Sequence, residues 1–275
     1  MTSSKRLTLN EAVALVPDGA TLGLGGVTLY RRPMAFVLAL RQRFAQTGSP
    51  HGLTLLAFTA GLESDLLVAA GMAARTRTCY FGLEAFGLAP AFTQAVGEGR
   101  LQVVEESEAS LAFGLRAALA GVGFMPSSAW QGTDLLRLRP DVHSIQDPYT
   151  GETLTAFPAV RCDVAVVHAL EADEEGNARI GGNPGVDPDL ALVAGRVIVT
   201  AERVVPRLEQ ADLIGPTVHA VVEAPAGAWP TSCHPLYPLD GLALLDYVEA
   251  YGTPALGPLL DAWAARHAAA PAAGA

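Results

Sequence analysis

The chain has 275 residues, half of them hydrophobic and 17% charged, with a formal net charge of −10. That length and apolar content can fill a large α/β core, and the acidic surplus gives no general attraction for a polyanion, which argues against nucleic-acid binding. No stretch reaches the roughly 20 apolar residues of a membrane span, and the opening MTSSKRL has no apolar signal core. The three cysteines, Cys79, Cys162 and Cys233, match neither a zinc spacing nor a disulfide set, so a reducing cytoplasm is the expected setting.

Thr8-Leu9-Asn10-Glu11 is a capping box and predicts a helix to about Val16, stopped by Pro17-Asp18-Gly19. The run ATLGLGG (20–26) predicts a buried strand and a glycine-rich turn. Pro33 suits a first helical turn, and Phe36, Val37, Leu40 and Phe44 recur at helical spacing behind it. Next come a strand LTLLAF (53–58), a helix from Ser64 to Ala70, a strand TCYFG (78–82), a helix from Pro90 to Val96 and a strand LQVVE (101–105). In VVEESEASLAFGLRAALAG (103–121), Glu105, Glu106 and Glu108 crowd the mouth of an amphipathic helix. Turns such as DPYTGE (147–152) break the rhythm over 127–160 and predict an excursion or small hairpin. The pattern resumes with DVAVVHA (163–169), RVIVTAE (196–202) and HAVVEAP (219–225), and two Ala/Leu-rich helices at about 241–250 and 254–267 follow. Strand alternating with helix predicts an open, mostly parallel sheet with helices on both faces. One domain over 1–268 is expected, with HAAAPAAGA fraying and 269–275 disordered.

Gly23-Leu24-Gly25-Gly26 allows two accounts: glycines that aim backbone amides at an anionic ligand, or a tight strand-to-loop turn. The spacing is not G-x-G-x-x-G and no P-loop lysine follows, so nucleotide binding has little support. Arg31 and Arg32 beside the turn either grip a carboxylate or phosphate, as guanidinium geometry suits, or form a solvated pair. His168 ends a strand, where α/β sheets place ligands, and a hydrogen-bonded core histidine is the plainer reading. Asp173, Glu174 and Glu175 read as a solvated turn, and Cys79 and Cys162 as small apolar strand residues. The Pro/Gly-dense stretch 221–241 can shape a binding rim or an interface.

Taken together, GGVTLYRRPMAFV (25–37), YFGLEAFGLAPAF (80–92), EESEASLAFGLRAALAGVGFMP (105–126), DPYTGETLTAFPAVRCDVAVVHALEADEEGNARIGG (147–182), VTAERVV (199–205) and VEAPAGAWPTSC (222–233) resemble the A (alpha) subunit of a class I CoA-transferase, nearest the glutaconate CoA-transferase branch. The resemblance spans nearly the whole chain. It implies the open α/β fold shared with ribose-5-phosphate isomerase and a B subunit of similar fold, in a hetero-oligomer expected to be A2B2. Acyl-CoA and a carboxylic acid are the implied substrates, with no permanently bound cofactor. In that family the nucleophile is a glutamate of the B subunit, which attacks the thioester and carries the acyl group and CoA in turn through covalent intermediates. Its short Glu-Asn/Met-Gly-like turn is absent here, so the chain is expected to supply half a site and to be inactive alone. Gly23, Gly25, Gly26 and Arg32 would then line the acyl pocket.

The resemblance also puts Glu108 where transferases carry a glutamine that helps polarise the thioester carbonyl. An ionised carboxylate cannot donate that hydrogen bond and opposes a developing oxyanion. A related A-like chain, from the bacterial hydrolase that opens steroid rings as CoA thioesters, carries a glutamate there as acid/base and shares the stretch seen here as Arg32-Pro33-Met34-Ala35-Phe36. For Glu105 and Glu106 the expected role is ordinary: acids near a helix start stabilise it by about 0.3–1 kcal/mol each. Three functions therefore stand: the A subunit of a transferase, the A-like subunit of a carbon–carbon hydrolase with Glu108 as base, and a non-catalytic ligand-binding scaffold.

Overall fold

A computed structural model describes residues 4–269. In chain order its elements are α1 (Leu9–Val13), β1 (Thr21–Leu24), α2 (Met34–Thr47), β2 (Leu53–Leu56), α3 (Leu62–Ala69), β3 (Ala73–Thr78), α4 (Pro90–Gly97) and β4 (Gln102–Glu105). Then follow α5 (Glu108–Leu119), β5 (Phe124–Ser127), α6 (Leu135–Leu138), β6 (His143–Gln146), β7 (Thr153–Pro158) and β8 (Cys162–Asp173). The chain continues through β9 (Ala178–Arg179), α7 (Asp187–Val193), β10 (Ala194–Val205), β11 (Ala220–Glu223), α8 (Gly241–Ala250) and α9 (Leu256–Ala269).

The main sheet has the order β11-β10-β8-β1-β2-β3-β4, and every neighbouring pair in that order is parallel. Short β9 pairs antiparallel with β8. The period-two alternation of the strands divides the core. Leu22, Leu24, Val164, Val166 and Ile198 enter one layer, roofed by α1–α4, α8 and α9. Ala165, Val167, Val197 and Val199 enter the other, roofed by Leu111 and Leu115 of α5 and Leu190 of α7. The sheet is thus covered on both faces. Because α2 lies among α1, α3 and α9 as well as the sheet, all seven residues from Met34 to Leu40 are buried.

Three local readings change. The strand expected over 78–82 lies at Ala73–Thr78, one position from the sheet edge. There a polar alternation suffices: Thr76 and Thr78 point inward, while Arg75 reaches Gln102 and Arg77 reaches Glu106. The excursion after Pro126 is a separate three-stranded antiparallel sheet, β5-β7-β6, larger than a hairpin. Asp173 is fully buried and holds its turn by accepting from the amides of Glu175, Asn177 and Leu208, so it is no solvated acid. At the carboxyl end α9 keeps His267, Ala268 and Ala269 helical, and the remainder of the expected disordered tail lies outside the described residues.

Candidate functional site

From β1 the chain builds outward to β2, β3 and β4, and then returns to the opposite side of β1 with β8, β10 and β11. The strand order therefore reverses between β1 and β8, and the carboxyl ends there open the crevice where α/β sheets hold ligands. Gly25 and Gly26 stand at that reversal.

Each glycine has a packing reason. A Cβ on Gly23 would lie 2.9 Å from Leu190 Cδ1, so the bare backbone lets α7 settle on the sheet. A Cβ on Gly25 would lie 2.9 Å from Asp187 Oδ1, and Gly26 combines φ +87° with only 2.6 Å from that position to the Tyr30 carbonyl. The amides are in use as well. Gly25 N–H donates to Val166 O at 2.9 Å, and Gly26 N–H donates to both oxygens of Asp187 at 3.0 and 3.1 Å. The carboxylate that the glycine loop holds is thus the chain's own.

Both arginines are fully buried. Arg31 pairs with Asp187 at 2.8 Å and donates to the carbonyls of His168 (2.7 Å) and Asn183 (3.1 Å). Arg32 donates to Gly26 O at 2.7 Å and pairs with Glu63, which also accepts from Ser64 Oγ and Gly61 N–H. They are neither a solvated pair nor free guanidiniums facing a ligand. In this chain Arg32 and the loop amides are struts, and direct contact with an acyl group would require them to exchange partners. Thr28 and Arg31 adopt left-handed backbone at φ +47° and +58°. The Thr28 amide bonds Thr59 Oγ1 at 2.8 Å and the Arg31 amide bonds Ser232 O at 2.7 Å, which holds the strained loop in place.

The three glutamates separate by role. Glu105 ends β4, exposed, its carbonyl accepting from Arg139 at 2.8 Å. Glu106 is buried, paired with Arg77 at 2.5 Å and Arg139 at 2.9 Å, and accepts from Ser110 Oγ. It is the hub of an ion-pair cluster, not the dipole-stabilising acid expected from its position. Ser107 is the N-cap of α5, reciprocally bonded with Ser110. Glu108 is the first helical residue and is exposed. Burial first, and then the charge of Glu108, push the neighbouring Cys79 thiol up to about 11, and that thiol donates to Phe58 O at 2.7 Å. Phe58, Cys79 and Glu108 accordingly follow the carboxyl ends of β2, β3 and β4, on the same edge as the glycine loop after β1. Chemically, Cys79 stays a thiol at neutral pH, while Glu108 offers an accessible carboxylate that can hold or accept a proton.

On the other flank of the reversal, His168 is fully buried between Thr200 Oγ1 (2.9 Å) and Glu202 Oε1 (2.8 Å), as a core histidine should be. Glu202 also accepts from Tyr237 and from the Ala226 amide. Burial raises this carboxyl, but His168, Tyr237 and the Ala226 amide together outweigh it and the net shift is downward. Glu202 reaches a surface cleft of about 470 Å³ walled by Leu170, Arg203, Pro225 and Leu236. Cys233 lies against this network, its thiol pushed up to about 12 by burial and by Glu202.

Asp187, Glu63, Glu202 and Arg139 were not singled out from sequence. Asp187-Pro188 carries a helix-start signal, but nothing local says that its carboxylate meets an amide 161 residues away.

An α/β protein with its crevice at a strand-order reversal is the class that these features define. The family model for Coenzyme A transferase matches residues 6–224, and the chain belongs to that family. Within it, similarity runs to chains of the A type. The chain is 36% identical over 242 residues to the A subunit of 3-oxoadipate CoA-transferase from Pseudomonas knackmussii, covering 85% of this chain and 84% of that one. It is 33% identical over 269 residues to the cholesterol ring-cleaving hydrolase IpdA subunit of Rhodococcus jostii, covering 91% and 88%. Among solved structures, a variant of the decarboxylase AibA/AibB superposes with a TM-score of 0.89 at 34% identity, covering 97% of this chain and all of that chain. Glutaconate coenzyme A-transferase from Acidaminococcus fermentans superposes with a TM-score of 0.84 at 29% identity, covering 96% and 88%.

Proposed function

We propose that this chain is the A subunit of a CoA-transferase that moves CoA between an acyl-CoA and a mono- or dicarboxylic acid. A B subunit of similar fold supplies the glutamate nucleophile, and A2B2 is the expected assembly. The observation that carries this reading is the state of the carboxylates at the crevice. Glu63 is committed to Arg32, Asp187 to Arg31 and the Gly26 amide, and Glu106 to Arg77 and Arg139. A buried carboxylate already neutralised and hydrogen-bonded is a poor nucleophile, so these acids build a wall. The likeness to the A subunit of 3-oxoadipate CoA-transferase supports the same division of labour.

Glu108 is an accessible acid at that wall, at the first position of α5. Protonated, it donates a hydrogen bond to the oxyanion that forms when the thioester carbonyl is attacked; ionised, it opposes that charge. A second reading follows from this carboxylate: hydrolytic cleavage of a carbon–carbon bond in a CoA thioester, with Glu108 as general base, as the likeness to the IpdA subunit suggests.

One substitution separates the two. In the complex with its B subunit, Glu108→Gln should keep or raise the rate at which CoA exchanges between acids. For a hydrolase the same change should cost about 10²–10⁴ in turnover, because the base is lost. Exchange between acyl-CoA donors and free acids, followed chromatographically, reads the first; disappearance of a cyclic β-keto thioester reads the second. No exchange with any of a panel of acyl-CoA donors would count against transfer.

A further inference from the structure

The segment between β5 and β6 belongs to the small antiparallel sheet, yet two of its side chains reach the start of α5. Trp130 is buried with left-handed backbone at φ +72°. Its ring stands edge-on to Phe157 at 5.1 Å between centroids, and Phe157 stacks on Phe113 of α5 at 5.6 Å. From that seat the indole Nε1–H donates to Ser107 Oγ at 2.7 Å. Arg139, also buried, is held bidentately by Asp141 at 2.8 Å on each arm. Its Nη1 meets the Glu105 carbonyl at 2.8 Å and Glu106 Oε1 at 2.9 Å. Each residue of the Glu105-Glu106-Ser107 lead-in is therefore gripped from outside the main sheet, and Glu108 comes next. Among the described residues, the Glu108 carboxylate makes no hydrogen bond or ion pair of its own; its backbone alone is fixed.

We infer that Arg139 and Trp130 are positioning residues for Glu108: the β5–β6 segment is a bracket that sets the height and direction of this acid against the reacting thioester. The inference rests on the reading that Glu108 works at the thioester. Among the described residues the main sheet holds this point from one side only: β3 pairs with β4 up to Thr78 and Glu105, Arg77 grips Glu106, and β4, as the edge strand, has no strand beyond it. Arg139 suits the task because a guanidinium can hold Asp141, a backbone carbonyl and a carboxylate at once in one plane. Trp130 suits it because a rigid ring seated on Phe157 delivers a single donor with few rotatable bonds.

The test measures kcat and KM for acyl-CoA turnover in the assembled complex with the B subunit. Trp130→Phe removes the donor and keeps a ring on Phe157; Arg139→Gln removes the ionic grip, with Glu106 still paired to Arg77; Arg139→Lys restores the charge. Misplacing a reacting group by an ångström can cost about 10²-fold. Trp130→Phe and Arg139→Gln should therefore lower kcat roughly tenfold to a hundredfold, with KM little changed and partial recovery in Arg139→Lys. In a Glu108→Ala background the same changes should cause no further loss. Wild-type kcat in Trp130→Phe, or full additional losses in the Glu108→Ala background, would overturn the positioning role. A fully active Glu108→Ala complex would instead show that Glu108 itself is idle, and the functional reading of that acid would fall first.

Discussion

Gly26 leaves the loop after β1 almost no latitude. A Cβ there would meet Tyr30 O at 2.6 Å and Arg31 O at 2.7 Å, both backbone atoms that cannot swing aside, and its φ of +87° is strained for any side chain. Gly26→Ala should therefore destabilise the chain by more than the roughly 1–3 kcal/mol of a strained backbone alone, and it should loosen the Arg32 grip on Gly26 O. Urea unfolding measures it; wild-type stability would mean the loop can relax. At this scale the sequence was half legible. Glycine at 23, 25 and 26 and arginine at 31 and 32 announced a tight, unusual turn. Their partners were hidden, because Glu63 and Asp187 reach the loop only once the sheet has folded around β1.

Among the elements, α9 carries a pH-sensitive seat. His267 places Nε2 3.1 Å from Trp229 O, while its Nδ1 is buried without a partner. Trp229 in turn lies edge-on to Trp263 at 5.4 Å and under Arg266 at 3.8 Å. Burial is the main reason that this imidazole is pulled down to about 4 from 6.5. A base depressed in the folded state favours folding while neutral, so its contribution is complete above 6.5 and is lost as pH falls from there to about 4. Wild type should lose stability over that window, and His267→Gln should show a flatter profile in urea unfolding monitored by tryptophan fluorescence; parallel profiles would contradict it. Element boundaries were legible where capping chemistry is local, as at Thr8 with Glu11. They were misread where tertiary position decides, as at β3, whose polar AARTRT pairs between β2 and the edge strand β4. Likewise the number of short polar or proline-containing strands in the excursion could not be told from its turns, since none carries a long apolar run.

Across the whole molecule, the apolar strands wrote out the architecture plainly: a parallel sheet buried on both faces shows as repeated Val/Ile/Leu runs. The strand order did not show, and it is the order that places β1 at the reversal and gathers the glycine loop, Cys79 and Glu108 on one edge. That edge offers buried, neutralised acids and, in Glu108, an accessible carboxylate at a helix start, which suits a supporting half of a thioester site. The most direct test is to add acyl-CoA to this chain alone, to its isolated B partner and to the complex, trap with hydroxylamine or borohydride, and find the modified residue by mass spectrometry. A division of labour between the two chains predicts a glutamate trapped on the B subunit in the complex and none on this chain. A trapped residue on this chain, or turnover by this chain alone, would contradict it.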